Sequence, residues 1–549
     1  MREIMRKKSL FIASVVSLSL SLLTACSIPW LESNEAIPEN KILRIMESNQ
    51  ISNLDSAKYV DIVSWNILYN VNEGLMRLGP NNRLVNGMAE SVEVSPDKKT
   101  YTFKLRDDAE WSDEEPVTAH DFEYAWKRAL DPRIKSEYAY ILYPIMGAEE
   151  YNKGRGSANQ VKVKAIDDHT LEVRLKQPEH EFLSLTTQST YFPQRKDIVE
   201  KYGEEYAKSP DKMVYNGPFI IDSVTPTQVR LLKNERYWDK DTVQLGQVDV
   251  QVQADTSKRI NFYNSGKADI TKIDSEFVYA FKQTTDYTSL ELASSQYLLM
   301  NQSKPFFKNP NIRRAISLAI DRNELVDRVL KDGSKPAGAL IPPALSVEGQ
   351  SFRQRAGGEV VGHNPSLAQT YFNKGLRELG LTRPPESIVM LSFNDQRSYV
   401  ALSIKEQLKA KLGLEIKLNT LPRKTKVDHE LKGEFDMTMS SWFADYSDPI
   451  GFLEIWTANS GLNYMKFNNA AYDRLIKQAK AAASHNKKTS LMIQAEKLLV
   501  GTGEGQQAAL VPLYYETNSF LQKPYVKGLH RHPYGAEYDL KWASVDGKQ

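Results

Sequence analysis

Cysteine is the scarcest residue in this 549-residue chain, with one copy. A lone thiol cannot close a disulfide within the chain, so a disulfide-stapled scaffold is excluded. No charge of one sign dominates, because 71 Lys and Arg stand against 69 Asp and Glu. No basic stripe interleaved with aromatics occurs, which argues against a nucleic-acid partner. There is no short-period repeat and no long low-complexity tract. After the first 26 residues no apolar run approaches the ~18 residues of a membrane span. Catalytic signatures are missing too. There is no G-x-S-x-G elbow and no P-loop, and His429-Glu430 has no second histidine four residues on. Gly501, Gly503 and Gly505 follow a helical stretch and read as a loop. His530-x-His532 reads as a solvated pair near the terminus rather than a metal site. What is present is ordinary: 41% hydrophobic and 26% charged residues exclude disorder as the main state. The length suggests roughly two to four domains.

The single cysteine ends a patterned segment. Arg2, Arg6, Lys7 and Lys8 form a basic head, and residues 10–25 carry no charge. That order is an export signal, and the run falls short of the ~20 residues that span a bilayer. Leu23-Thr24-Ala25-Cys26 resembles a bacterial lipobox, whose cysteine sulfur receives a diacylglycerol. Two acyl chains are what stable anchoring takes. The expectation is a signal peptide over 1–25, lipidation at Cys26 and a polar tether over 26–41. The mature chain would be held on the outer face of the cytoplasmic membrane. Residues 1–25 carry four basic residues and one acidic residue, so their loss takes the net charge from +2 to −1. The apparent basicity belongs to the export signal.

Along the body, strand and helix patterns mix. Alternation predicts strands over 101–106 and 170–175, and over 219–221 and 229–232 around a turn near Pro226. Helical spacing predicts helices over 119–130, with Thr118 as cap and Phe122, Trp126 and Ala129 on one face, and over 311–330, 400–412 and 470–483.

Several strings, in order, resemble the extracytoplasmic solute-binding proteins of peptide ABC importers, the oligopeptide- and dipeptide-binding family. They are NVNEGLM at 70–76, YTFKLR at 101–106, WSD at 111–113 with PVTAHDF at 116–122, and YNGPF at 215–219. NERYW at 234–238, RRAISLAIDR at 313–322, WFADY at 442–446 with Asp448-Pro449, and PLY at 512–514 complete them. The resemblance covers about residues 42–545. It implies an α/β, periplasmic-binding-protein-like clamshell of class II: two lobes, an inserted domain and two hinging crossings. The implied boundaries are 42–61, 214–304 and 513–549 for one discontinuous lobe, 62–213 for the inserted domain and 305–512 for the opposite lobe. One departure stands out. The family carries glycine after Trp-x-Asp/Asn, and this chain has Glu114, which predicts a turn without a left-handed position.

The resemblance implies a peptide site with no cofactor and no metal. Asp445 occupies the family position that pairs with the ligand's N-terminal ammonium. On spacing alone the favoured reading is a solvated loop aspartate or a turn cap beside Asp448-Pro449. Trp442 and Tyr446 would floor the first side-chain pocket, or simply pack in a core. Gln50, with Glu47 nearby, falls where relatives place a second acidic contact. Arg397 falls near a residue that grips the ligand carboxylate in some relatives, and is otherwise a surface arginine. Arg423 falls on a side-chain pocket and would favour acidic or polar side chains there. Asn216 and Gly217 are expected at a crossing where backbones approach closely. Tyr138 and Tyr140 are expected as lid aromatics.

The implied function is a membrane-anchored, monomeric receptor that closes on short peptides and delivers them to the transmembrane subunits of an ABC permease. Alternatives on the same fold are a nickel chelate, haem or oligosaccharide ligand, or a signalling-peptide or murein-peptide receptor. An exported peptidase ranks below these, since no nucleophile or metal signature supports it.

Overall fold

The computed structural model describes residues 36–548 except 59, 60, 180 and 483. The export signal and Cys26 lie outside the described residues.

Two long strands organise the body. Tyr287–Met300 and Leu510–Gln522 pair antiparallel, with register shifts between Glu291 and Ser295 and between Gln296 and Tyr297. On one flank of this pair the sheet continues through Ile270–Ile273, Ile42–Glu47, Gln247–Val252, Gln228–Lys233 and Phe219–Thr225. On the other flank it continues through Met437–Phe443, Ile388–Phe393 and Ile416–Leu421. Both flanks contain parallel pairs, which need crossover connections. On the second flank these are the helices Arg397–Leu412 and Arg423–Lys432. A separate antiparallel sheet orders Ala89–Val94, Thr100–Leu105, Thr170–Arg174 and Val163–Asp167.

Several elements follow the sequence pattern. The helix Ala119–Leu130 starts on a reciprocal cap between Thr118 and Asp121. It buries Phe122, Trp126 and Ala129 completely. Phe219–Thr225 and Gln228–Lys233 form a hairpin closed over Pro226 and Thr227. Apolar packing divides into a large core and a second one, made by Leu298, Ile312, Ile316, Ile404, Met439 and their neighbours on the second flank.

Three sequence expectations need correction. The helix expected over 311–330 stops at Ala319. Ile320 is extended, and Asp321 caps a new turn by accepting from the backbone N–H groups of Asn323 and Glu324. The turns from Leu325 to Leu330 are π-helical. Apolar spacing runs through the break because both pieces bury the same side, while the capping aspartate decides where the backbone resets. The helix expected over 470–483 ends at Lys480. At Glu114 the left-handed conformation persists without glycine, at φ +73°. The Glu114 N–H donates to the Trp111 carbonyl at 3.0 Å and its carboxylate pairs with Arg236. The turn is kept and its strain is borne by a glutamate.

A candidate ligand cavity at Asp445

The strand Met437–Phe443 lies beside Tyr287–Met300, with Trp442 opposite Ser295. Ala444 extends the ladder by donating to the Ala293 carbonyl at 2.8 Å. The chain then leaves the sheet at Asp445. Asp448 takes the turn-capping role, since its Oδ1 accepts from the Ile450 N–H at 3.0 Å. Asp445 is thereby left to face a cavity of about 410 Å³. Its wall combines Tyr140, Ile141 and Tyr143, the segment from Lys176 to Glu179, residues 442–454, and Lys480 and Lys488.

Asp445 is half-buried, and one side chain reaches it from far along the chain. The Tyr140 hydroxyl donates to its Oδ2 at 2.7 Å. Burial pushes the Asp445 carboxyl up to about 6, and the Tyr140 hydrogen bond opposes that rise only in part. No cation lies within ion-pair distance of Asp445 among the described residues. Near it the hydroxyls of Ser184 and Ser447 meet at 3.2 Å, and Ser447 donates to Glu181 at 3.3 Å. Segments 138–185 and 444–448 therefore touch around the cavity.

Of the remaining sequence-predicted residues, Trp442, Tyr446 and Tyr140 line this cavity with Asp445. Tyr138 stacks on Tyr140 at 5.9 Å and meets Trp65 edge-on. Asn216 and Gly217 lie elsewhere, as a clasp. The buried Asn216 amide accepts from the Glu73 N–H and donates to the Glu73 carbonyl, both at 3.0 Å. A Cβ on Gly217 would lie 2.6 Å from backbone atoms of Val71 and Asn72. Gln50 is exposed, past the end of Ile42–Glu47. Glu47 is buried and pushed up to about 7, by burial first and by Glu537 second. Arg397 opens its helix with its guanidinium 3.5 Å over the Phe393 ring and bonded to Asp395. Arg423 opens the next helix and is exposed. Burial lowers the Lys426 ammonium against the opposing Glu430 carboxylate, which it meets at 2.6 Å, and the charges of Arg397 and Arg423 lower it further. The His530 and His532 pair is not solvated as expected. His532 is buried, with its Nδ1 2.8 Å from Asn82 Oδ1, and burial pushes it down to about 4.

Sequence reasoning missed six of the eight charged residues that line the cavity. Glu149, Lys176, Glu179, Glu454, Lys480 and Lys488 all line it. They come from separate segments in no short-range pattern, so no local signal marks them.

A mixed α/β body built on one large sheet, with a cavity lined by charged residues, is the architecture of the periplasmic-binding-protein-like solute-binding proteins. The chain belongs to the bacterial extracellular solute-binding proteins, family 5, whose family model ("family 5 Middle") matches residues 83–464. It is 36% identical to the dipeptide-binding protein DppE of Bacillus subtilis, over 92% of each chain. Among solved structures it is similar to Listeria monocytogenes OppA bound to peptide, with TM-score 0.76 and 33% identity over 93% of this chain and all of that one. The pheromone receptor PrgZ is similar at TM-score 0.76 and 30% identity, over 92% of this chain and all of that one. The family is one of substrate binding, and its members are extracytoplasmic.

Proposed function

We propose that the protein is an extracytoplasmic receptor that encloses short peptides at Asp445 and hands them to an ABC permease. The observation that carries this is a cavity-facing carboxylate with a protein hydroxyl but, among the described residues, no cation beside it. A carboxylate in such a place is costly until a charge-assisted partner arrives. A peptide's N-terminal ammonium supplies one. Trp442 and Tyr446 flank it as a platform for the first residue. Arg423, exposed at the start of its helix, is the cation of this region left to meet a ligand's acidic side chain or carboxylate, since Arg397 pairs with Asp395 and Lys426 with Glu430. Chain trace and resemblance support three parts: a lobe from 42–61, 214–304 and 513–549, an inserted domain over 62–213, and an opposite lobe over 305–512. We read the receptor as a non-enzyme, lipid-anchored at Cys26 and monomeric. A signalling-peptide receptor is the second reading, favoured by the similarity to PrgZ.

Native mass spectrometry of the purified protein tests the reading. A ladder of co-purified peptide masses is expected. Asp445→Asn, which keeps the shape and removes the charge, is expected to weaken tripeptide binding at least about tenfold. One fixed mass that is not a peptide, or a bound metal complex, would overturn it.

A further inference from the structure

The wall of the Asp445 cavity can be balanced charge by charge. Three lysines line it, and each is matched by a carboxylate of the same wall. Lys176 meets Glu149 at 2.9 Å, Lys480 meets Glu454 at 2.6 Å, and Lys488 pairs with the buried Asp448. Two lining carboxylates are left over, Asp445 and Glu179. Asp445 has the Tyr140 hydroxyl. The Glu179 carboxylate accepts no hydrogen bond from the described residues, though its backbone carbonyl takes one from the Tyr101 hydroxyl. Tyr446 lines the cavity with both, and after burial the charges of Glu454, Asp448, Glu179 and Asp445 all raise its hydroxyl. Among the described residues the wall thus carries two more carboxylates than lysines.

Resting on the receptor reading above, we infer that Glu179 selects a ligand whose first residue carries a cationic side chain, lysine or arginine. Asp445 would hold the α-ammonium and Glu179 the side-chain cation of the same residue, with Trp442 and Tyr446 offering ring faces between them. A single cation leaves one carboxylate unmatched in the closed cavity, which is the situation that disfavours a neutral first residue. Electrostatics agree with the geometry. Burial and then the Asp448 charge raise the Glu179 carboxyl, with Lys488 and Lys480 opposing from a distance. Both lysines already have nearer carboxylates. An acidic first residue would add a third negative charge and is expected to bind worst.

Calorimetric titration of the purified protein with Lys-Ala-Ala, Ala-Ala-Ala and Ala-Ala-Lys tests this. Ala-Ala-Lys has the same net charge as Lys-Ala-Ala, so it separates a local contact from general attraction. Lys-Ala-Ala is expected to bind at least about tenfold tighter than either of the others. In Glu179→Gln the ratio of Lys-Ala-Ala to Ala-Ala-Ala affinity is expected to fall close to one. A ratio near one in the unmodified protein overturns the inference and leaves the receptor reading standing. A ratio that survives in Glu179→Gln overturns the assignment to Glu179. If none of the three peptides binds, the receptor reading fails and this inference fails with it.

Discussion

At Asp445 a proton and a ligand cation compete for one carboxylate. Its acid constant near 6 lies above the ordinary 3.8 because burial disfavours the charge. The sign follows from linkage. A ligand ammonium needs the ionised form, so affinity is fully present above pH 6 and is lost as pH falls through it. In the empty protein the sign is reversed. The raised value means that ionisation costs stability above pH 6, and the cost disappears toward pH 3.8. Tripeptide affinity is therefore expected to fall about tenfold between pH 7.5 and pH 5, read by calorimetry at fixed ionic strength. A flat profile would place the ammonium elsewhere. At this scale the sequence was informative where residues are adjacent. The string at 442–446 pointed to Asp445, Trp442 and Tyr446, and Tyr140 was expected as a lid aromatic. It was uninformative about Glu179, Glu454, Lys480 and Lys488, whose common wall exists only after folding. It also could not reveal that Arg397 is already bonded to Asp395.

Among the elements, strands and caps were the legible features, because alternation and capping are local. The break at Ile320 and the left-handed Glu114 were not, for different reasons. The first is a contest between apolar spacing and a capping aspartate. The second is a strained backbone that an ion pair with Arg236 accompanies. The clasp at Asn216 and Gly217 shows how one small residue joins two elements. It lies against the end of the helix Ile62–Val71, and Gly217 donates to the Val71 carbonyl at 3.0 Å. Gly217→Ala drives a methyl into the Val71–Asn72 peptide. A loss of about 1–3 kcal/mol is expected, seen as a lowered midpoint of thermal unfolding. An unchanged midpoint would mean that the two segments separate easily.

For the whole molecule, order in the sheet could not be read from the sequence. The residues of the central pair lie more than 200 positions apart, and only the resemblance implied crossings there. The expectation for location rests on contiguous residues, the basic head, the apolar run and Cys26, so it can be tested by one substitution. Cys26→Ser is expected to move the protein from the membrane pellet to the soluble fraction of fractionated cells, with peptide binding retained. Continued sedimentation with membranes would exclude the diacylglycerol anchor. The paired strands Tyr287–Met300 and Leu510–Gln522 have one further consequence. Both flanks of the sheet hang from them, and their ladder slips register between Glu291 and Ser295. A hydrogen-bonded ribbon resists shear and bends most readily where its rungs are interrupted. Were the two flanks to close on a ligand, that interruption is where the spine would bend, and every ligand would meet the same edge.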